Sequence, residues 1–276
     1  MGSIGQRSVM PFILALSLIF ASVAALSAPA AAASSVYLEE LTWTEVRDAL
    51  HAGTTTVIIP AGGTEQNGPH MALGKHNVRV KALAGRIADK LGDTLVAPVV
   101  SYVPEGTISP PSGHMRFPGT ISIPDDVFKG MVRAAGRSLK QAGFTHIVFI
   151  GDSGDYQPIL KEVALQLNRE WAKTPVRAHY IEEYYRGAQT AYREALRRRG
   201  LTEAQIGTHA GVADTSLLMA VDPGLVRSDR LGAAPAPTDG TVGDPRASTA
   251  ELGQLGVDLI VTRTVAAIRA AREGKR

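Results

Sequence analysis

Three short runs of consecutive apolar residues, TVIIP (Thr56 to Pro60), LVAPVV (Leu95 to Val100) and HIVFIG (His146 to Gly151), are rich in β-branched side chains. Runs of this length and type predict strands buried on both faces, as in parallel sheets. Between the first two the period changes: Val80, Leu83, Ala84, Ile87, Ala88 and Leu91 recur at spacings of three and four, predicting a helix with Asn77 as N-cap and Gly92 as its stop. Phe128, Met131, Val132, Ala135 and Leu139 repeat that spacing after the second run, and Leu160, Val163, Ala164, Leu167 and Trp171 after the third. The order βαβαβα predicts a layered α/β protein. A further strand is expected at Val176 to Tyr184 and a closing helix from Ser248 to Arg272, with Pro- and Gly-rich turns between them. In an open parallel sheet ligands bind beyond the carboxyl ends of the strands, where the βα loops converge. Two such loops, GGTEQNGPHMALGKHN and GDSGDYQ, hold the densest sets of potential ligands in the chain.

The amino-terminal segment changes the domain picture. Arg7 precedes the apolar run Met10 to Leu26, and SAPAAAASS follows with Ala-x-Ala sites, the pattern of a cleaved secretory leader. The expected organisation is therefore a signal peptide over residues 1–33, a single α/β domain over residues 34–276, and an exported, periplasmic or secreted, mature protein without a stable membrane span. No cysteine occurs among the 276 residues, which excludes disulfides, thiol nucleophiles and thiolate metal sites. A formal net charge of +3 is mild, and the basic run Arg197 to Arg199 reads as a solvated helix face, so no nucleic-acid partner is expected.

The motifs GGTEQNGPHMALGKHN, SGHMRFPGTISI, FIGDSGD, HAGVADTSLLMAVDPGLVR and GDPRASTAELG follow one another in the order and rough spacing of the creatininase (creatinine amidohydrolase) family. The resemblance covers nearly all of the chain after its leader. It implies a three-layer α/β/α sandwich, assembly into a homo-oligomer, usually a hexamer, and a two-metal site of zinc or manganese that hydrolyses amide, cyclic amide or formamide C–N bonds of small molecules.

Carried over residue by residue, the resemblance keeps Glu65 and Gln66 but places Asn67 where the family has a histidine and His76 where it has a metal-bridging aspartate. Asp152 replaces a ligand histidine, and Gly154 stands where creatininase has a second-metal glutamate. Histidine and aspartate have thus exchanged places, which leaves Glu65, His76 and Asp152 as one candidate ligand set and makes one divalent ion, Zn or Mn, the expectation over two. His209 matches the histidine of the family's HAG motif and is the candidate proton relay, with Asp214 as its orienting carboxylate. Gln66, His114 and Ser153 are candidate substrate-binding residues, and His70 and Asp155 are further polar loop residues that can replace a missing ligand.

Each of these also has a structural counterpart: Glu65 and Asp152 as helix caps, His76 as a surface residue, His114 as a structural residue, and His51, His146 and His179 as packing positions. A serine esterase reading of FIGDS lacks an activating histidine, because none follows His209. The stronger rival to a hydrolase is an exported binding protein that kept the pocket and lost the chemistry.

Overall fold

The apolar runs form the centre of a parallel sheet in a computed structural model that describes residues 1–2, 35–236 and 238–274. Strands β1 (Thr56–Ala61), β2 (Thr94–Val96), β3 (His146–Gly151) and β4 (Arg177–Tyr180) lie in the order β2-β1-β3-β4, all parallel. Strand β2 is shorter than its apolar run because Pro98 has no amide hydrogen to give the ladder. Pairing resumes around it, with Ala97 N bonded to Ile58 O at 2.8 Å and Val100 N to Pro60 O at 2.9 Å. The expected strand after Val176 likewise ends at Tyr180.

Alternate strand residues face opposite layers, as the two-residue period requires. Ile58, Val148 and Ile150 pack with residues of α2 (Lys75–Leu91) and, later in the chain, of Val212–Val221 and Ala250–Arg272. Val57, Ile59, Ile147 and Phe149 pack with α3 (Asp125–Ala142) and α4 (Gln157–Glu170), and with Val46 and Leu50 of α1 (Trp43–His51). The result is an α/β/α sandwich. Beyond β4 the chain runs through α5 (Glu183–Arg186), a π turn (Gly187–Tyr192), α6 (Arg193–Arg197) and α7 (Glu203–Ile206) to α8 (Val212–Val221) and α9 (Ala250–Arg272). Thr249 caps α9 by accepting from Leu252 N at 3.2 Å. Arg197 pairs with Glu194 and Glu203, so that basic helix end is tied to neighbouring acids.

Helix α2 begins at Lys75 rather than at Asn77, with Gly74 as its cap residue. Asn77 is committed to the loop instead: its Oδ1 accepts from Gly63 N at 2.9 Å and its Nδ2 donates to Thr64 Oγ1 at 3.2 Å. This early start puts Lys75 and His76 in the first turn and Arg79 at the start of the second, beneath the carboxyl ends of the strands. Strand β1 has β2 on one side and β3 on the other, reached by helices on opposite faces. A crevice therefore opens at the carboxyl ends of β1 and β3, the place where such sheets bind ligands.

By chain contacts the molecule divides into Met1–Ala30 and Ala31–Arg276. The expected leader lies outside the described residues, apart from 1–2. Among the described residues no helix is long and apolar enough to cross a membrane.

Candidate active site

The two ligand-rich loops meet at the crevice because Tyr156 ties them together. Its hydroxyl, fully buried, lies 2.9 Å from Ala61 O and accepts from the amides of Asp152 at 3.1 Å and Ser153 at 2.9 Å. Asp152, directly after β3, is thereby set opposite Glu65, whose backbone amide donates to Leu73 O at 3.1 Å. Both acidic side chains are at least nine-tenths buried, Glu65 at 1% exposure and Asp152 at 6%.

His76 stands between them. Its Nε2 is 2.8 Å from Glu65 Oε1 and its Nδ1 is 2.6 Å from Asp152 Oδ2. Carboxylates only accept, so both contacts are hydrogen bonds when the ring carries a proton on each nitrogen. Asp152 is engaged further: Arg79 Nε donates to Oδ2 at 2.8 Å and the Tyr184 hydroxyl to Oδ1 at 2.8 Å. Arg79 continues through Nη1 to Asp214 Oδ1 at 2.9 Å. Lys75, 1% exposed, lies 3.4 Å from Asp214 and 3.6 Å from Glu65. Glu65, His76 and Asp152, the ligand set expected from sequence, are therefore brought together as a hydrogen-bonded row whose far end is already filled by Arg79 and Tyr184.

These contacts set the ionisation of the row. Burial opposes charge on Glu65, yet His76 and Lys75 hold its carboxyl well below the ordinary value. Burial also opposes charge on Asp152 and Asp214; Arg79 and His76 lower the first, and Lys75 and Arg79 lower the second. Glu105 behaves oppositely. It is 1% exposed, both its oxygens lack a hydrogen-bond partner, and burial together with the neighbouring Glu65 charge pushes its carboxyl up to about 10. At neutral pH it keeps its proton.

A second grouping shares Glu65. His114 Nε2 is 3.3 Å from Glu65 Oε2, and His209 Nδ1 is 3.8 Å from Glu65 Oε1. These three residues have ligand atoms within 4.8 Å of one another, and ligands about 2.1 Å from a shared tetrahedral ion stand roughly 3.4 Å apart. Gln66 orients both rings. Its backbone carbonyl accepts from His209 Nε2 at 2.9 Å, leaving Nδ1 with its lone pair toward Glu65, while its Nε2 lies 2.9 Å from His114 Nδ1. Accepting the far N–H of a ligand histidine is how an outer residue orients it, which the Gln66 carbonyl does for His209, whereas at His114 the Gln66 side-chain amide is the donor. Burial and the Lys75 charge lower the His209 imidazole to about 4, so it is neutral at pH 7. His209 is held by a bridge to Val242 and precedes Ala210, which has the left-handed φ of 57°. A non-glycine residue there marks a backbone held by its surroundings. Asp214 takes part by accepting from Ala210 N at 3.1 Å.

The remaining sequence candidates are placed as follows. Asn67 donates its amide to Glu65 O at 2.9 Å and Ala72 O at 3.1 Å, and so braces the loop. His70 is bonded to Thr215 Oγ1 at 3.0 Å, and Asp155 is exposed. Ser153 is 9% exposed, and its backbone amide donates to the Tyr156 hydroxyl at 2.9 Å. Lys75, Arg79, Tyr184 and Glu105 were not singled out by motif. For Lys75 and Arg79 the signal was present: they fall at i and i+4 before Leu83, so the buried stripe of α2 runs back onto them.

The donor set fits one ion at Glu65, His114 and His209 by type and spacing. It does not fit two, since Gly154 offers no donor, Asn67 is turned to the backbone, and Asp152 and Asp214 are paired with cations of the chain.

This fold and crevice belong to a known class. A family model for creatininase, creatinine amidohydrolase, matches residues 39–268, and the chain belongs to the creatininase family. It is 26% identical over 254 residues to a creatinine amidohydrolase of Pseudomonas putida, covering 85% of this chain and 96% of that one. It is 27% identical over 229 residues to a mycofactocin precursor peptide peptidase of Mycolicibacterium smegmatis, covering 74% and 81%. A solved mutant creatininase of Zn-Zn type superposes with a TM-score of 0.68 at 26% identity, covering 86% of this chain and 98% of that one.

Proposed function

We propose that this chain is a metal-dependent amidohydrolase that cleaves a C–N bond of a small molecule, with one divalent ion, zinc or manganese, held by Glu65, His114 and His209. The observation that carries the reading is the convergence of one ionised carboxylate and two imidazoles at ligand spacing, with the Gln66 carbonyl accepting from the far nitrogen of His209. When bound, such an ion supplies Lewis-acid activation of a carbonyl and a more acidic water. The chain's own part is to hold Glu65 charged and His209 neutral in a largely buried pocket, and to keep a proton on Glu105 next to Glu65. That proton is the one we assign to the leaving nitrogen. Relative to the sequence expectation, His209 and His114 become ligands, and Asp214 becomes the residue that fixes the His209 turn.

His114 and His209, with side chains 26% and 14% exposed, are the members of the set nearest solvent, and we assign the approach of a compact amide to that side. A screen of cyclic amides, formamides and short peptides with Zn²⁺ or Mn²⁺ tests the reading. Hydrolysis that disappears in Glu65→Gln together with the bound ion supports it; no turnover by a fully loaded protein sinks it.

A second reading, a binding protein without hydrolysis, is favoured by one observation: every ionised carboxylate of the site already has a partner within the chain. Loaded protein that binds a small amide without cleaving it supports this reading. Export with leader cleavage and hexamer assembly belong to the same proposal; amino-terminal sequencing of secreted protein and light scattering test them.

A further inference from the structure

Two basic side chains lie buried inside the site. Lys75 and Arg79 are 1% and 4% exposed, in a protein interior where an unpaired charge is strongly disfavoured. Both point at carboxylates. Arg79 spans Asp152 and Asp214 with donors at 2.8 and 2.9 Å, and Lys75 lies 3.4 Å from Asp214. The guanidinium stays charged at any pH a protein survives.

We propose that Arg79 and Lys75 occupy the electrostatic role of a second metal ion: they neutralise Asp152 and Asp214 as an internal ion-pair cluster, so these carboxylates ligate no metal. The single-ion reading above enters only through the ion at Glu65; the pairing of Asp152 and Asp214 stands on its own geometry.

Three features support this. A divalent ion at Asp152 must either displace the Arg79 guanidinium or sit against it in a dry environment, where like charges repel strongly. Position 154 offers no donor to a second ion, and a Cβ there would have to push aside the Tyr185 hydroxyl, 2.7 Å away. Tyr184 on Oδ1 and His76 on Oδ2 then join Arg79, so three of the roughly four lone-pair sites of Asp152 are filled without any ion.

The test counts metal. Full-length protein, Asp152→Asn and Arg79→Met are dialysed to equilibrium against ZnCl₂ or MnCl₂, and bound metal per chain is read by mass spectrometry beside thermal melting. One equivalent is expected in the parent chain and again in Asp152→Asn, because Asp152 is not a ligand. Arg79→Met is expected to gain one equivalent and to melt higher as the ion is added, since it exposes a carboxylate pair without its cation. If that variant folds only when refolded with the divalent ion, the same conclusion follows. Two equivalents in the parent chain with one lost in Asp152→Asn overturn the proposal, as does a folded Arg79→Met with parental stoichiometry and an unmoved melting point. A parent chain with no metal defeats the ion at Glu65, His114 and His209, while a gain in Arg79→Met still supports the internal cations.

Discussion

The two ends of the sheet hold charged residues in opposite ways. Beside the amino ends of β3 and β4 lies a hollow of about 680 Å³ lined by His146, His179, Arg177, Lys161 and Arg272 among others. Its basic groups stand near water: Arg177 is exposed, and Arg272 pairs with a partly buried Asp93 at 2.9 Å. At the carboxyl ends, by contrast, Glu65, Lys75, His76, Arg79 and Asp152 are each at least nine-tenths buried. Charge is inexpensive where solvent screens it and costly where it does not. The solvent-screened end therefore needs no special arrangement, whereas the buried end exists only because each charge there is answered by another.

The largest expected effect is at Arg79. Arg79→Ala leaves Asp152 and Asp214 without their shared cation, and denaturant unfolding of the metal-free protein should show a loss of about 3–5 kcal/mol. A loss below about 1 kcal/mol would break the contrast between the two ends. Next comes Glu65→Gln, which should abolish ion binding and lower any hydrolysis by more than about a hundredfold, beyond the range typical of residues that only orient a ligand. An ion retained at full occupancy in that variant removes Glu65 from the ligand set.

Glu105 sharpens the comparison through pH. Its folded carboxyl titrates near 10 against an ordinary value of 4.5, so the folded chain keeps a proton that the unfolded chain has lost. The stability linked to it is complete below about pH 4.5 and drains as pH rises toward 10. Glu105→Gln removes this drain, and melting of the metal-free protein should favour the variant increasingly from pH 6 to 9, by at most about 1.4 kcal/mol per pH unit. Activity should fall in the same variant, because its amide has no proton to give. A parallel pair of stability curves would show that Glu105 is ionised after all. Glu65, Asp152 and Asp214 have the opposite sign: their folded values are depressed, so their contribution is present above the ordinary carboxylate range and is lost as pH falls below it. The smallest effect is expected at the other end of the sheet, where Arg177→Ala should change stability by no more than about 0.5 kcal/mol, as exposed substitutions do.

Much of this was written in local patterns. The continuous β-branched runs Val57 to Ile59 and Ile147 to Ile150 specify strands covered on both faces, and the period-3.6 repeat from Val80 to Leu91 specifies a covering helix, because burial follows the backbone's own geometry. The order of those elements places the GTEQ and GDSGD loops at one end of the sheet, and Asn67 and Gly154 stand where the family resemblance leads one to expect ligands of a second ion. What periodicity does not carry is which side chains meet once distant segments close. His114 reaches Glu65 because the segment after β2 folds back, with Thr64 bridging Ile121, and His209 arrives from the turn before α8. Asp152 looks like a ligand in the chain and becomes an ion-pair partner in the fold, because Arg79, from one turn into α2, takes its Oδ2. Residue type determined which groups can bind a cation; tertiary structure alone decided whether a metal or the chain's own arginine and lysine would be within reach, since that depends on distances between segments that sequence spacing does not fix.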